Sequence, residues 1–355
     1  MNTLDKIRKQ IDRLDDKLLA LLIQRANLAK KIGQVKSKLG EEVYSSARER
    51  EVMSRLISRK TAPLSDEDIE SIFQEIFNAS RNIQKKFRVA YFGPEATYTH
   101  QAAIKHFGKT SNMLPQKSIP DVFTEVEKNR ADYGVVPIEN STEGVVNHTL
   151  DMFMDSDLLI CAEREEPISH YLLSPSGQIS RIKRVFSHPQ AFAQCRRWLE
   201  SHLPKAETQE AASTSQAALQ ASLDATGAAI ASPLAAKIYN LKVVAPGIED
   251  FQENFTRFLI IGKHTPPRSG KDKTSIVLSI KDRVGALNDI LMVFKKYALN
   301  LTKIESRPNK KKAWEYIFFV DFTGHATEPH IQKALQELQK SCMHIKILGS
   351  YPKSD

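Results

Sequence analysis

Cysteine is scarce in this chain of 355 residues: Cys161, Cys195 and Cys342 are the only three, far apart and with no CxxC pair. That excludes a disulfide framework or a zinc finger and fits a reducing compartment. Long hydrophobic runs are missing as well. No stretch reaches the roughly 18 consecutive apolar residues of a membrane-spanning helix. The opening Met1-Asn2-Thr3-Leu4-Asp5-Lys6 lacks the apolar core of a signal peptide. The expected location is therefore the cytoplasm, with no membrane partner. No metal-ligand cluster or nucleotide-binding loop stands out, so no metal or organic cofactor is expected. Proline is absent before Pro63, which leaves the N-terminal segment free to run as helix.

What is present is ordinary apolar content and an excess of base. The net charge of +9 favours anionic ligands. The lysines are spread along the chain with no aromatic-interleaved basic block, so nucleic acid is not an expected partner. Lys310-Lys311-Lys312 reads as a solvated hairpin tip. The length allows two or three domains, and the texture divides into three segments.

Residues 1–86 read as all-helical. Leu4, Ile7, Ile11, Leu14, Leu18, Leu21, Leu28, Ile32 and Val35 recur at helical spacing, and Gly40 is a plausible stop. A second helix is expected from Ser46 to Arg59, and Ser65-Asp66-Glu67-Asp68 is a capped, acid-rich start to a third. Residues 87–265 alternate short apolar runs with amphipathic helices, the pattern of an α/β domain. His264 to Lys271 is a linker by composition. Residues 273–355 then give strand (from Thr274), helix (from Ala286), two strands (from Leu299 and Trp314), helix (from Pro329) and strand (from Ile345), the ferredoxin-like βαββαβ order.

In the first segment Arg25 and Lys36 fall about 20° apart on one helix face. Arg8 lies about 25 Å from Arg25 along the axis, beyond joint reach of one small molecule, on a helix about 54 Å long. If both arginines serve one ligand, one comes from a second copy of the chain, so an intertwined homodimer is expected. Arg8, Arg25 and Lys36 are joined by Arg48-Glu49, Ser80 and Gln84. This set resembles the all-helical chorismate mutase family. The resemblance implies that Arg8 (from the partner) and Arg25 hold the carboxylates of chorismate, that Lys36 and Gln84 meet the breaking ether oxygen, and that Glu49 meets the ring hydroxyl. Arg48 and Ser80 complete the pocket. Many relatives carry Asp where this chain has Ser45, whose hydroxyl supplies a hydrogen bond without the charge.

In the middle segment Glu253-Asn254-Phe255-Thr256-Arg257-Phe258-Leu259 sets a hydroxyl beside a guanidinium, between two aromatic rings. Four Ser/Thr-rich turns read as helix starts, whose free N–H groups suit carboxylates. They are Gly93 to Thr99, Glu139 to Gly144, Ser187 to Phe192 and Ala212 to Ala217. Asn254-Phe255-Thr256-Arg257-Phe258, Val136 to Ser141 and Ser187-His188-Pro189-Gln190 resemble the prephenate dehydratase family over the whole segment. That implies two α/β lobes around a cleft, like a periplasmic binding protein, acting on prephenate. The implied substrate residues are Thr97, Glu139, Asn140, Ser141, Ser187, Gln194, Ser213, Thr214, Phe255, Thr256 and Arg257. Thr256 is the implied proton donor to the leaving hydroxyl, with Glu139 as rival acid. His188 reads as structural.

Gly285-Ala286-Leu287-Asn288 and Glu305-Ser306-Arg307-Pro308 resemble the effector segments of the ACT domains attached to dehydratases. They imply a phenylalanine site. Together the three resemblances imply a bifunctional chorismate mutase–prephenate dehydratase under feedback inhibition. Two other readings compete: a dehydratase whose helices serve only dimerisation, and a non-catalytic amino-acid sensor.

Overall fold

The computed structural model describes residues 2–59, 63–251, 253–280, 283–308 and 316–354. Lys310 to Lys312 and the start of the strand predicted from Trp314 lie outside the described residues. The chain forms two compact units, residues 1–87 with 107–112, and residues 88–106 with 113–355.

The first unit is built on α1 (Thr3–Leu39), α2 (Ser46–Ile57) and α3 (Asp66–Gln84). Gly40 ends α1 at φ 69°, a left-handed conformation that favours a residue without Cβ. Ser65 and Asp68 close a capping box at the start of α3, as the acid-rich sequence predicts. α3 packs on the C-terminal part of α1 at Gly33, where a Cβ would sit 2.7 Å from Cγ of Gln84. Residues 2–21 are exposed around the whole circumference of α1, and Leu14, Leu18 and Leu21 are each more than half exposed.

From Arg88 the chain gives β1 (Arg88–Phe92), α4 (Tyr98–Phe107), β2 (Asn112–Gln116), α5 (Ile119–Glu127), β3 (Tyr133–Asn140), β4 (Gly144–Val145), α6 (Asn147–Asp155) and β5 (Leu159–Pro167). A second lobe follows: β6 (Tyr171–Ser174), β7 (Arg184–Ser187), α7 (Pro189–Gln194), α8 (Arg196–His202), β8 (Glu207–Glu210), α9 (Thr214–Ser222), β9 (Gly227–Ala231), α10 (Pro233–Ile238) and β10 (Lys242–Ala245). The chain then returns as β11 (Phe255–Gly262). The first sheet runs β2-β1-β3-β11-β5, with β4 beside β3, and the second runs β10-β6-β9-β7-β8. β11 therefore enters the first lobe's sheet between β3 and the edge strand β5, antiparallel to both. The two crossings between lobes hydrogen-bond to each other, Ile248 N to His170 O at 2.9 Å and Ile168 N to Asn254 O at 2.8 Å.

One expected helix start is corrected. Glu139 to Gly144 opens no helix; β3 runs on to Asn140, paired with Thr256 of β11, and turns back into β4 before α6 begins at Asn147. Pairing on both sides of β3 holds this segment extended, whatever its Ser/Thr content.

The C-terminal part is β12 (Asp272–Ile280), α11 (Ala286–Lys296), β13 (Leu301–Pro308), β14 (Tyr316–Thr323), α12 (Pro329–Ser341) and β15 (His344–Pro352), in the sheet order β13-β14-β12-β15. This is the βαββαβ order read from the sequence. Alternation separates its two faces. Ile276, Leu278, Phe318 and Val320 pack on the helices. Val277, Ile317, Phe319, Leu348 and Tyr351 share one core with Ile138, Leu150, Phe153, Ile160 and Leu259 of the first lobe. β15 crosses β5 so closely at Gly349 that a Cβ would lie 2.3 Å from the Ile160 carbonyl oxygen.

Candidate active sites

In the helical unit, Arg25 of α1 donates from Nη1 to Ser80 Oγ of α3 and stacks 5.6 Å from the Phe77 ring centroid. Glu49 of α2 faces the same place, 3.4 Å from Arg81 Nε. Burial raises the Glu49 pKa, against the pull of Arg81, Arg25 and Lys36. Lys36 Nζ donates to the carbonyls of Glu42 (2.8 Å) and Val43 (3.2 Å). Gln84 Nε2 donates to Ser80 O at 3.1 Å, leaving its buried Oε1 without a partner. Arg25, Lys36, Glu49, Ser80 and Gln84 thus converge. Arg8 and Arg48 stand apart: Arg8 lies on the exposed stretch of α1, and exposed Arg48 pairs with Glu51 at 2.7 Å. Ser45 is the N-cap of α2, a task at which Ser matches Asp. Sequence reasoning missed Arg81, which is 3% exposed and stacks 5.0 Å from the Tyr44 ring centroid. Its place on the buried stripe of α3 with Phe77 and Asn78 was the available signal.

The second unit carries a cleft of about 850 Å³ between its two lobes, lined among others by Thr97, Asn140, Gln194, Ser213, Thr214 and Thr256. Helix starts frame it as expected. Thr97 Oγ1 accepts from His100 N (3.3 Å) at α4, and Ser213 Oγ accepts from Gln216 N (3.0 Å) at α9. His188 caps α7, its Nδ1 accepting from Gln190 N at 3.3 Å, which is the structural part read for it. The N-terminus of α9 offers unpaired N–H groups and a partial positive charge to an anion.

A directed chain of hydrogen bonds crosses the cleft floor. Asn140 Oδ1 accepts from the backbone N–H groups of Thr142 and Glu143, both at 3.0 Å. Its Nδ2 must then face the other way, where it donates to Thr256 Oγ1 (2.8 Å) and Asn254 Oδ1 (2.8 Å). Asn254 in turn presents Nδ2 to Gln194 Oε1 at 3.3 Å. Two consequences follow from the donor inventory. The Thr256 hydroxyl, already an acceptor, keeps its hydrogen for an oxygen in the cleft. The amide nitrogen of Gln194 is buried without a partner.

Comparison with known proteins identifies the families of the three segments. Residues 89–266 match the family description prephenate dehydratase, residues 7–85 chorismate mutase type II, and residues 274–339 the ACT domain. A bifunctional chorismate mutase/prephenate dehydratase of Aquifex aeolicus is 48% identical over 100% of this chain and 99% of its own length. One from Pseudomonas aeruginosa is 42% identical over 99% and 98%. The chain belongs to the bifunctional chorismate mutase/prephenate dehydratases. Among solved structures, a prephenate dehydratase of Arthrobacter aurescens in complex with L-Phe is 35% identical over 75% of this chain and 90% of its own, with a TM-score of 0.69.

Several residues expected in the dehydratase pocket do not line the cleft. Arg257 follows Thr256 on a strand, and successive side chains point to opposite faces. It reaches Glu163 (2.7 Å), Asp321 (2.8 Å) and the Tyr351 hydroxyl (3.0 Å) behind the sheet. The hydroxyl–guanidinium clamp read from the sequence is therefore not formed. Glu139 leaves β3 on that same far side and pairs with Lys303 of the ACT domain at 2.7 Å. Ser141 Oγ binds Glu253 O (3.3 Å) and Phe255 N (3.0 Å), while Ser187 Oγ donates to Ile230 O at 2.9 Å. Phe255 is 45% exposed. Tyr98 and Asn254, which stand in quoted motifs but were not named as substrate residues, line the cleft; so do Lys117 and His170, which no local motif marks.

In the ACT domain the two predicted effector segments meet at one end of the sheet. β12 and β13 flank β14, with Ser279 and Arg307 both opposite Ile317, and Gly285 follows β12 at φ 80° to start α11. Ala286 is buried, while Asn288 and Ser306 are exposed. Arg307 turns toward α6, donating to Asn147 O (2.7 Å) and pairing with Asp151 (2.8 Å).

Proposed function

We propose that the cleft binds prephenate and expels carbon dioxide and water from it, with Thr256 donating a proton to the leaving hydroxyl. The observation that carries this is the hydrogen-bond polarity: Asn140 donates to Thr256 Oγ1, so the hydroxyl hydrogen is aimed at the substrate side. The ring carboxylate leaves as carbon dioxide, the electron pair of its C–C bond aromatises the ring, and the C–O bond breaks as hydroxide takes the threonine proton. Threonine is a weak acid, so transfer is concerted with decarboxylation, and solvent reprotonates Oγ1. With Arg257 turned away, the remaining carboxylate is held by the α9 N-terminus, the Gln194 amide and Lys117 at the cleft wall. Thr256→Ala should accumulate prephenate from chorismate while the first step continues; undiminished phenylpyruvate formation would refute the assignment.

For the first step, Arg25, Lys36, Glu49 and Gln84 hold chorismate in the reactive conformer and stabilise charge on the ether oxygen, with Arg8 supplied by a second copy. Arg25→Ala should abolish that step and spare turnover of added prephenate. We place the chain in the cytoplasm as a dimer through α1, with phenylalanine binding between Gly285-Ala286-Leu287-Asn288 and Glu305-Ser306-Arg307 as a feedback inhibitor. A titration of dehydratase rate with phenylalanine, run on wild type and on Ser306→Trp, tests the effector site; equal inhibition of both would remove it.

A further inference from the structure

His170 lies where the two crossings between the lobes meet. It is 3% exposed, its N–H donates to the Glu249 carboxylate at 2.8 Å, and its carbonyl accepts from Ile248. Its ring links two cleft residues: Nε2 is 2.7 Å from Gln194 Oε1, and Nδ1 is 3.1 Å from the hydroxyl of Tyr98, which also donates to Ser169 O at 2.8 Å.

The direction of these bonds is forced. The turn amides of Thr142 and Glu143 orient Asn140, Asn140 orients Asn254, and Asn254 leaves only Gln194 Oε1 facing itself. An acceptor oxygen 2.7 Å from Nε2 requires the hydrogen on Nε2. Nδ1 is then the acceptor, sharing the single hydrogen of the Tyr98 hydroxyl with Ser169 O. Burial lowers the His170 pKa, against smaller opposing effects of Gln194 and Glu249, which suits this neutral tautomer.

We infer that His170 is a positioning residue for the dehydratase: its Nε2–H pins Gln194 Oε1, so that the otherwise unpartnered Gln194 Nε2 is presented to an anionic oxygen of the substrate. The inference rests on the cleft being the prephenate site. Without the histidine, only the longer bond from Asn254 orients the amide. A turned amide would offer its carbonyl oxygen to a carboxylate, exchanging attraction for repulsion.

The test is a double-mutant cycle in the full chain, read as dehydratase kcat and KM on prephenate, with the mutase rate of each sample as a check on folding. His170→Phe should lower kcat/KM by about tenfold to a hundredfold, the scale of one buried hydrogen bond. His170→Gln, which carries an N–H near the Nε2 position, should restore most of the loss. In a Gln194→Ala background His170→Phe should cost nothing further, because its effect passes through that amide. Full activity of His170→Phe, a Gln variant as poor as the Phe variant, or multiplicative losses in the double variant would each overturn the proposal. Should His170→Phe not fold, His170→Asn replaces it, since its amide oxygen takes the accepting place of Nδ1 and leaves Gln194 unpinned. Thr256→Ala, assayed alongside, reports separately on the cleft: undiminished turnover there would refute the site itself, not the part played by His170.

Discussion

Thr256 and Arg257 are consecutive on β11 and leave it on opposite faces, one into the cleft and one into an ionic cluster beneath the ACT domain. Arg257 sits between Glu163 and Asp321, Lys273 also reaches Glu163 at 2.9 Å, and Ser275 Oγ donates to Asp321 at 2.6 Å. Truncating Arg257 strands Asp321 beside a weaker partner in a buried place. Breaking such a pair from one side costs about 3–5 kcal/mol. Arg257→Ala should therefore lower the melting temperature by several degrees, and its loss of dehydratase activity should follow that destabilisation. Calorimetry beside kinetics decides: an unchanged melting temperature with KM for prephenate raised a hundredfold would restore Arg257 to the substrate pocket.

The same pair marks how far the sequence could be read. Element order, the ferredoxin-like domain and the residues Thr256 and Asn140 were legible, because periodicity and short motifs encode them locally, and Gln194 only through the family resemblance. The motif Asn254-Phe255-Thr256-Arg257-Phe258 gives residue types in order but not the phase of the strand relative to the cleft. That phase comes from pairing with β3, where Thr256 lies opposite Asn140, and with β5, where it lies opposite Glu166, both far from β11 in the sequence. The sequence suggests a substrate clamp at Arg257 because a cation near a diacid site is plausible chemistry; its partners in the structure, Glu163 and Asp321, lie on two other strands that no local pattern connects. Arg81 and His170 were overlooked for the same reason: each is made important by what folds against it.

Lys303 and Glu139 give the ACT domain a direct hold on the cleft strand. Lys303 stands on β13, two residues before Glu305-Ser306-Arg307, and its partner Glu139 precedes Asn140, the donor to Thr256. Arg307 adds a second contact to α6. Lys303→Met should leave unliganded dehydratase turnover close to wild type and weaken phenylalanine inhibition by about fivefold, the low end of ordinary coupling energies. Inhibition curves at fixed prephenate measure this. An unchanged midpoint would show that the pair transmits nothing.

The role proposed for Glu49 implies a pH limit on the mutase step. Its pKa is raised by burial, more than Arg81, Arg25 and Lys36 lower it, so on acidification it takes up a proton before an ordinary glutamate would. A protonated Glu49 is a weaker acceptor for the ring hydroxyl and no longer balances the surrounding cations. Mutase activity should fall as pH drops through this raised value, above the usual 4.5, and Glu49→Gln should flatten the acid limb at a reduced rate. The stability sign is opposite to that of a salt-bridged acid. A folded-state pKa above the unfolded one favours the fold below the unfolded pKa, and that contribution is lost as pH rises through the folded pKa. Glu49→Gln should thus stabilise the helical unit at neutral pH, provided its amide finds partners, and a melt at pH 7 beside one at pH 4 measures the difference.

Arg8 and Arg25 share one helix yet lie too far apart to grip one ligand, and residues 2–21 of that helix are bare in the single chain. Leu14, Leu18 and Leu21 are 62, 55 and 61% exposed, an apolar stripe of the kind that a second helix covers. In the proposed dimer a two-fold axis would place Arg8 of one copy beside Arg25 of the other, twice. This arrangement makes a complementation result unavoidable. Arg8→Ala and Arg25→Ala chains should each be inactive as mutases alone. Unfolded together and refolded as an equal mixture, they should regain about a quarter of wild-type activity, because half the dimers are mixed and each mixed dimer holds one intact site out of two. Dehydratase activity serves as the recovery standard, since neither substitution touches the cleft. A mixture no more active than its components would place Arg8 and Arg25 in the same chain's site or remove Arg8 from catalysis altogether.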